Sequence, residues 1–164
     1  GIILPGVGAF GSAMDELKKR RLDQVLYEEA KAGKPLLGIC LGMQLLFDES
    51  DEFGVHEGLH LIPGRVEAFP KDIDLLVPQM GWNQNVVNNE QSIFADVLDG
   101  SYTYFVHSYY AKCDQQYVVS YTNYGVKVPS CVEFKNVYGM QFHPEKSGEK
   151  GLEMLERFIE RVDE

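Results

Sequence analysis

Apolar and polar positions along the chain follow patterns that predict helices in the first third and mainly strands in the rest. Brief apolar runs at Gly1–Leu4 and Pro35–Ile39 are typical of buried strands, and each leads into a glycine-containing turn. Apolar residues at helical spacing between these runs predict two short helices, the first capped at Ser12, with an interruption near Arg20 and Arg21. This alternation of strands and helices is typical of α/β proteins.

Aromatic and β-branched residues dominate the remainder of the chain and predict short strands separated by turns. The predicted strands lie within residues 58–69 and at Leu75–Pro78, Tyr102–Ala111, Tyr117–Tyr121, Ser130–Phe134 and Val137–Phe142. The amide-rich segment Pro78–Asn89 predicts a loop, and Gly151–Val162 predicts a closing helix with one apolar face. We therefore expect an α/β fold whose mixed, mostly parallel central sheet is flanked by helices.

Composition narrows the classes of function. The 164 residues are 45% hydrophobic and 24% charged, which is typical of one globular domain, and the net charge of −10 argues against nucleic-acid binding. No apolar run is long enough to cross a membrane and no signal segment opens the chain, so we expect a cytoplasmic protein. The three cysteines, Cys40, Cys113 and Cys131, have neither disulfide-framework nor zinc spacing, so no metal is expected.

One cysteine stands between the second predicted strand and a helix predicted over 41–47. Gly38, Cys40 and Gly42 form the pattern G-x-C-x-G, a cysteine version of the nucleophile elbow, which holds its nucleophile in a strained turn between small residues. The helix N-terminus is expected to lower the pKa of the thiol from about 8.5. Most free cysteines are small buried hydrophobes, so this motif alone leaves a nucleophile and a packing residue equally open.

A histidine and a carboxylate follow the last predicted strand. Pro144 holds His143 in extended geometry, so His143 and Glu145 project toward the same side. One ring nitrogen is then free to face a thiol while the other donates to the carboxylate, which is the arrangement of a general base. A lone H-x-E is more often a surface ion pair, and the pairing with Cys40 favours the catalytic interpretation.

The loop PGVGAFG after the first predicted strand offers backbone N–H groups. Attack by a thiolate on an amide creates an oxyanion that needs such donors. We expect one donor at Leu41, next to the nucleophile, and another near Val7 and Gly8. A phosphate cradle is the competing interpretation, but the Walker pattern is absent.

Three segments together carry a family resemblance: PGVGAF, GICLGMQLLF and YGMQFHPEKS, in this order. The chain resembles the triad-type glutamine amidotransferase domain, in which a glutamine side chain is hydrolysed to release ammonia. The segments IPGRVEAF, VPQMGWN and YFVHSYYA are similar to one branch, the glutaminase subunit of imidazole glycerol phosphate synthase of histidine biosynthesis. The resemblance covers nearly the whole chain.

The resemblance implies a role for each matching residue. Cys40 is implied to attack the glutamine amide carbon, His143 to transfer protons and Glu145 to orient His143, without any cofactor. The residues implied to hold glutamine are Gln44, His107, Ser108 and Tyr109. The residues implied to face a partner, a (β/α)₈-barrel cyclase that consumes the ammonia in a heterodimer, are Met80, Trp82, Asn83 and Lys146.

Two departures from the family pattern bear on these expectations. The family has a strand and a loop ahead of GIILPGVG, so we expect residues 1–164 to form a single amidotransferase domain that lacks its N-terminal strand. Gln79 stands where the branch pattern has histidine, which alters hydrogen bonding in the loop that faces the partner.

Other functions and other residues compete with this interpretation. The rivals are a glutaminase of anthranilate, guanylate or pyridoxal phosphate synthesis, a cysteine hydrolase or peptidase, and a catalytically silent binding subunit. His107 lies inside an aromatic strand and has no acidic residue two positions after it, so a structural or substrate-side role is expected rather than catalysis. His56 and His60 are expected to face solvent, and Cys113 and Cys131 to pack in the interior.

Overall fold

The computed structural model describes residues 1–164 and contains twelve strands and five α-helices. The strands are β1 Ile2–Leu4, β2 Leu36–Ile39, β3 Glu49–Ser50, β4 His56–Glu57, β5 Arg65–Ala68, β6 Gln79–Gln84, β7 Val86–Val87, β8 Tyr102–His107, β9 Tyr109–Lys112, β10 Val118–Asn123, β11 Lys127–Phe134 and β12 Val137–Met140. The helices are α1 Phe10–Lys19, α2 Leu22–Lys31, α3 Leu41–Gln44, α4 Ala95–Leu98 and α5 Gly148–Val162. None of the helices combines the length and the apolar character needed to span a membrane.

A six-stranded sheet with the order β1-β2-β12-β11-β10-β7 forms the centre of the molecule. Strands β1, β2 and β12 are parallel, whereas the pairings of β12 with β11, β11 with β10 and β10 with β7 are antiparallel. The expected α/β class and the mixed sheet are confirmed, but the expectation that most of the sheet is parallel is wrong. Tight turns at 124–126 and 135–136 reverse the chain, and such short connections join antiparallel strands only.

Helices cover both faces of the parallel half of this sheet. All four residues of β2 are buried; Leu36 packs in a cluster with residues of α1 and α2, and Leu37 packs in another with residues of α4 and α5. A continuous apolar strand is expected where both faces of a sheet are covered. The predicted break between two N-terminal helices is confirmed, although α1 begins at Phe10 rather than Ser12, because the carboxylate of Glu52 accepts the N–H of Phe10 at 2.8 Å.

The other strands form a four-stranded sheet, β4-β3-β5-β9, and the pair β6-β8. Strand β6 lies in the segment Pro78–Asn89, where a loop was expected, so that prediction is wrong. Its polar residues form a strand because its N–H and C=O groups pair with the aromatic strand β8 over six residues. The strand expected at Leu75–Pro78 is absent, and the apolar side chains of this segment are largely exposed instead.

Candidate active site

The predicted elbow forms where β2 turns into α3. Cys40 has φ 55° and ψ −112°, a conformation that few residues other than glycine adopt and that is common at functional sites. A Cβ atom added to Gly42 would lie 1.7 Å from the carbonyl oxygen of Leu4, and one added to Gly38 would lie 2.5 Å from that of Gly42. Both positions therefore need glycine, since neighbouring backbone fills the space of a side chain.

The histidine of the predicted triad lies on the neighbouring parallel strand. Residue Met140 of β12 pairs with Ile39 of β2, and the N–H of Cys40 donates to the carbonyl oxygen of Met140 at 2.7 Å. Cys40 and His143 thus emerge at the same edge of the sheet. The Nδ1–H of His143 donates to Glu145 Oε1 at 2.6 Å, which leaves a lone pair on Nε2. The Nε2 atom is buried and has no hydrogen-bond partner within the chain.

Cys40 and His143 open into one cavity of about 260 Å³. Its lining is Val7, Gly8, Cys40, Leu41, Gln44, Glu52, Val106, His107, Ser108, Tyr109 and His143. The structure therefore brings together every residue predicted for the nucleophile, the base, the oxyanion donors and the substrate. Glu145 does not line this cavity, but it is hydrogen-bonded to His143, which does.

Glu52 and Val106 also line the cavity, and sequence reasoning missed both of them. Glu52 lies in a polar segment twelve positions after Cys40. Several other acidic residues lie in the same segment, so the sequence alone does not single out Glu52. Val106 belongs to an aromatic strand, and its carbonyl oxygen lies 3.9 Å from Cys40 Sγ.

The glycine loop supplies free backbone donors at the mouth of the cavity. Gly8 has φ 102°, and the N–H groups of Val7 and Gly8 donate to no other group in the chain. The Val7 side chain is 81% exposed. The loop is fixed at both ends, by the pairing of Leu4 with Gly38 and by the bond between Glu52 and the N–H of Phe10.

The electrostatics of the thiol differ from the expectation. Burial raises the pKa of Cys40, while the N–H of Leu41 lowers it, Glu145 raises it and Lys146 lowers it. The expected net lowering by the helix is wrong for the unliganded chain. Helix α3 has only four residues, so its dipole is small, and the sulfur lies in a poorly solvated place that disfavours the thiolate.

The substrate side of the cavity is neutral except for one carboxylate. Burial lowers the pKa of His107 to about 4, and its Nδ1–H donates to the carbonyl oxygen of Tyr109 at 2.8 Å, so the imidazole is uncharged at neutral pH. The same carbonyl accepts from Gln44 Nε2 at 3.0 Å. Glu52 is therefore the group in this part of the cavity that attracts a cation.

An apolar surface lies on the outer face of β6 and β8. Met80 is 62% exposed and Trp82 is 54% exposed, and the Trp82 ring lies edge-on to Tyr104 at 6.1 Å. Lys146 Nζ lies 6.0 Å from the centre of the Tyr104 ring, so this lysine borders the same surface. Asn83 was expected here, but strand alternation places it on the opposite face, where it accepts from Gln79 Nε2 at 3.0 Å.

The remaining candidates lie away from the cavity. The carboxylates of Asp48 and Glu57 raise the pKa of His60 and bind both of its ring nitrogens. Burial raises the pKa of Cys113 to about 12 and that of Cys131 well above its usual value, which disfavours either thiolate.

A strained cysteine at a strand-to-helix elbow, beside a buried histidine held by a carboxylate, is the arrangement of acyl-transfer enzymes that use a cysteine nucleophile. The family model for "Glutamine amidotransferase class-I" matches residues 1–162, and the chain belongs to this family.

Relatives agree with this assignment, and solved structures agree with the fold. The chain is 58% identical over 161 residues to "Imidazole glycerol phosphate synthase subunit HisH" of Lactiplantibacillus plantarum, covering 98% of this chain and 77% of the relative. It is 51% identical over 160 residues to the protein of the same name from Listeria monocytogenes, covering 98% and 76%. A crystal structure of a glutamine amidotransferase matches with a TM-score of 0.72 at 17% identity, covering 99% of this chain and 78% of that chain. The structure of PurLQS from Thermotoga maritima matches with a TM-score of 0.71 at 20% identity, covering 98% and 79%. At these identities the two structures show the fold alone.

Proposed function

We propose that this chain is the glutaminase subunit of imidazole glycerol phosphate synthase. In this role it hydrolyses glutamine and delivers the ammonia to a cyclase partner in histidine biosynthesis. The observation that carries the proposal is that Cys40 and His143 open into one small cavity, with His143 held by Glu145. The identity of 58% to a subunit with this name supports the choice of branch over the anthranilate, guanylate and pyridoxal phosphate branches.

The proposed reaction begins with proton transfer from Cys40 Sγ to His143 Nε2. The thiolate attacks the amide carbon of glutamine, and the carbonyl oxygen takes the negative charge. The intermediate collapses with cleavage of the C–N bond, and His143 gives its proton to the departing ammonia, which leaves a thioester. His143 then takes a proton from water, whose oxygen attacks the thioester; the C–S bond breaks to release glutamate, and His143 returns the proton to the sulfur. Glu145 fixes the tautomer and stabilises the imidazolium at each step.

Backbone N–H groups stabilise the oxyanion in this proposal. The N–H of Leu41 adjoins the nucleophile, and those of Val7 and Gly8 are free of other partners. Each aligned donor of this kind is worth about 2.7–4 kcal/mol in the transition state.

The size and charge of the cavity favour a single amino acid as substrate. Its volume of about 260 Å³ is smaller than the roughly 300–1,000 Å³ of sites that bury drug-sized ligands. The Glu52 carboxylate suits an α-ammonium group, and the polar groups of Gln44, Ser108 and Tyr109 suit the rest of the molecule. Neutral His107 serves as wall and hydrogen-bond partner rather than as a cation. A cysteine peptidase, by contrast, requires room for an extended chain.

The partner in this proposal is a (β/α)₈-barrel cyclase, and its docking surface is the outer face of β6 and β8. Exposed aromatic and sulfur-containing side chains such as Trp82 and Met80 are typical interface anchors, and Lys146 adds a charge at the border. Asn83 then supports the interface through Gln79 rather than by direct contact. Residues 1–164 act in this proposal as one amidotransferase domain in the cytoplasm, where a thiol such as Cys40 stays reduced.

The proposal is tested by glutamine hydrolysis with and without the barrel cyclase. We expect ammonia release that the cyclase increases, and no release from Cys40→Ala, which still binds the cyclase. A glutamine-like electrophile should add one equivalent to Cys40, detected by mass spectrometry.

Each contrary outcome favours a named rival. The absence of an adduct would favour a silent binding subunit, and hydrolysis of esters or peptides without glutaminase activity would favour a cysteine hydrolase. Stimulation by the synthase of another branch, and not by the cyclase, would reassign the pathway.

A further inference from the structure

A buried amide side chain that the mechanism above does not use touches the nucleophile. Gln141 follows β12, is fully buried, and places its Nε2 atom 3.9 Å from Cys40 Sγ. This distance lies at the long end of the range for an N–H···S hydrogen bond, which is longer than a bond to oxygen because sulfur is larger. A fully buried amide beside a reacting sulfur calls for an explanation, since burying it without a partner is costly.

A chain of hydrogen bonds fixes which end of this amide faces the sulfur. The carbonyl oxygen of Tyr109 is able only to accept, so the Gln44 atom 3.0 Å away is its NH₂ group. The same Nε2 atom lies 3.1 Å from Gln141 Oε1, so its second hydrogen is donated there. The Gln141 NH₂ group must then point away from Gln44, toward Cys40 Sγ. The orientation of both amides thus follows from one backbone carbonyl.

We propose that Gln141 is a further catalytic residue, whose side-chain N–H stabilises the Cys40 thiolate, and that Gln44 is the positioning residue that holds Gln141 in this orientation. The inference rests on the proposed function only in taking Cys40 as the nucleophile. It also assigns Gln44 a role other than its implied one, because both of its N–H bonds are used inside the protein and only its Oε1 atom remains for substrate.

The surroundings of the sulfur explain why such a donor is needed. Burial and the Glu145 carboxylate disfavour the thiolate, and the one-turn helix α3 compensates weakly. The other charged or titratable groups that face the sulfur are His143, which takes its proton, Lys146, and Glu52 and the neutral His107 in the cavity wall. The N–H of Leu41 stabilises the sulfur in the free enzyme, but it is also the expected oxyanion donor. Gln141 is placed to stabilise the thiolate before the attack, so that the Leu41 N–H is available for the oxyanion that the attack creates.

The experiment measures the rate of Cys40 alkylation by iodoacetamide in the native protein as a function of pH, with peptide mapping to separate the three cysteines. Gln141→Met keeps the length of the side chain and removes the donor. We expect alkylation about tenfold slower at pH ~7, which corresponds to about 1.4 kcal/mol, and a rate profile displaced to higher pH. Gln141→Leu also removes the donor but has a branched side chain, so it should slow alkylation to a similar extent.

Gln44→Met tests the positioning role. It leaves the Gln141 amide in place but free to rotate, so alkylation should slow about threefold or more, in the same direction. Ser120→Ala is the matched control, because it removes a buried hydrogen bond with the Ser130 side chain in the same sheet and leaves every hydrogen bond of Cys40, Gln44 and Gln141 in place. Its native profile should match that of the unmodified protein. In concentrated urea all variants should react alike.

The outcomes separate this inference from the proposed function, since alkylation needs neither glutamine nor partner. Native alkylation of the Gln141 variants at the unmodified rate would overturn the catalytic role, whatever the glutaminase assay gives. A slow Gln141→Met together with an unaffected Gln44→Met would overturn the positioning role of Gln44. If the chain does not hydrolyse glutamine but the alkylation profiles are as expected, glutamine is not the substrate and the assignment of Gln141 still holds.

Discussion

Replacing Gly42 by alanine forces a methyl carbon into backbone at the elbow. In the present geometry the new Cβ would lie 1.7 Å from the carbonyl oxygen of Leu4 and 2.8 Å from its carbonyl carbon. Real Cβ atoms hardly ever approach within 3.0 Å, so the two segments must separate by about 1.3 Å. Leu4 also pairs with Gly38 across β1 and β2, so the displacement pulls on the end of the sheet.

The magnitude follows from the rigidity of both sides of this contact. Overpacking costs about 1–3 kcal/mol, and a carbonyl of a paired strand is unable to rotate away, so we expect about 3 kcal/mol for Gly42→Ala. In urea-induced unfolding this loss lowers the midpoint by about 1.5 M at a slope of about 2 kcal/mol/M. Displacement of the nucleophile by about 1 Å should also reduce kcat for glutamine hydrolysis about a hundredfold.

Gly6→Ala is the control for this substitution. Its Cβ would meet Leu41 side-chain atoms at 3.6 Å or more, which is an ordinary contact. We expect its unfolding free energy to stay within about 0.5 kcal/mol of the unmodified protein. Unfolding of Gly42→Ala at the unmodified midpoint, or an equal loss of stability in Gly6→Ala, would show that the contact between Gly42 and Leu4 does not limit the elbow.

Three further substitutions test separate parts of the structure. Glu145→Gln should lower kcat about tenfold to a hundredfold with little change in KM, because a neutral amide still accepts from His143 but stabilises imidazolium less. The Glu145 carboxylate is 48% exposed, so the loss of kcat should stay below the roughly 10⁴-fold loss seen for a fully buried carboxylate. An unchanged kcat would remove Glu145 from the mechanism. His60→Gln should lower the urea midpoint at about pH 5 and not at about pH 9. The pKa of His60 is raised, chiefly by its hydrogen bond to Asp48, so its stabilisation is complete below about 6.5 and is lost as the pH rises through the folded-state pKa. An equal loss at both pH values would contradict this origin. Trp82→Ala should weaken cyclase binding at least tenfold, measured by titration, and change unfolding of the isolated chain by less than about 0.5 kcal/mol; the opposite pattern would make Trp82 a core residue.

The sequence predicts the elbow and the His-Glu pair well because their geometry is local. A glycine two residues either side of Cys40 has a steric reason that any fold must respect, and Pro144 sets the direction of the backbone around His143. The two N-terminal helices are likewise marked by periodicity and by the break near Arg20.

The features that the sequence does not predict depend on contacts between distant segments. The inner face of β6 is polar, so its sequence lacks the apolar alternation of a strand and resembles that of a loop. It forms a strand because β8 lies beside it. Glu52 caps a helix 42 positions away in sequence and lies in the turn between β3 and β4, which belong to another sheet. The raised pKa of Cys40 arises from burial by the assembled fold, which the helix dipole expected from local sequence does not outweigh.

The bond from the Cys40 amide to Met140 also governs how the centre of the protein exchanges its hydrogens. This amide lies between two interior strands, so deuterium is expected to enter only when the middle of the sheet opens, at a free energy near that of complete unfolding. The amides of Val7 and Gly8 are bonded to nothing in the chain and should exchange within seconds. The nucleophile is thus held by amides that exchange slowest and faces a loop whose amides exchange fast. Gentle heating should therefore disturb the oxyanion loop long before it separates Cys40 from His143.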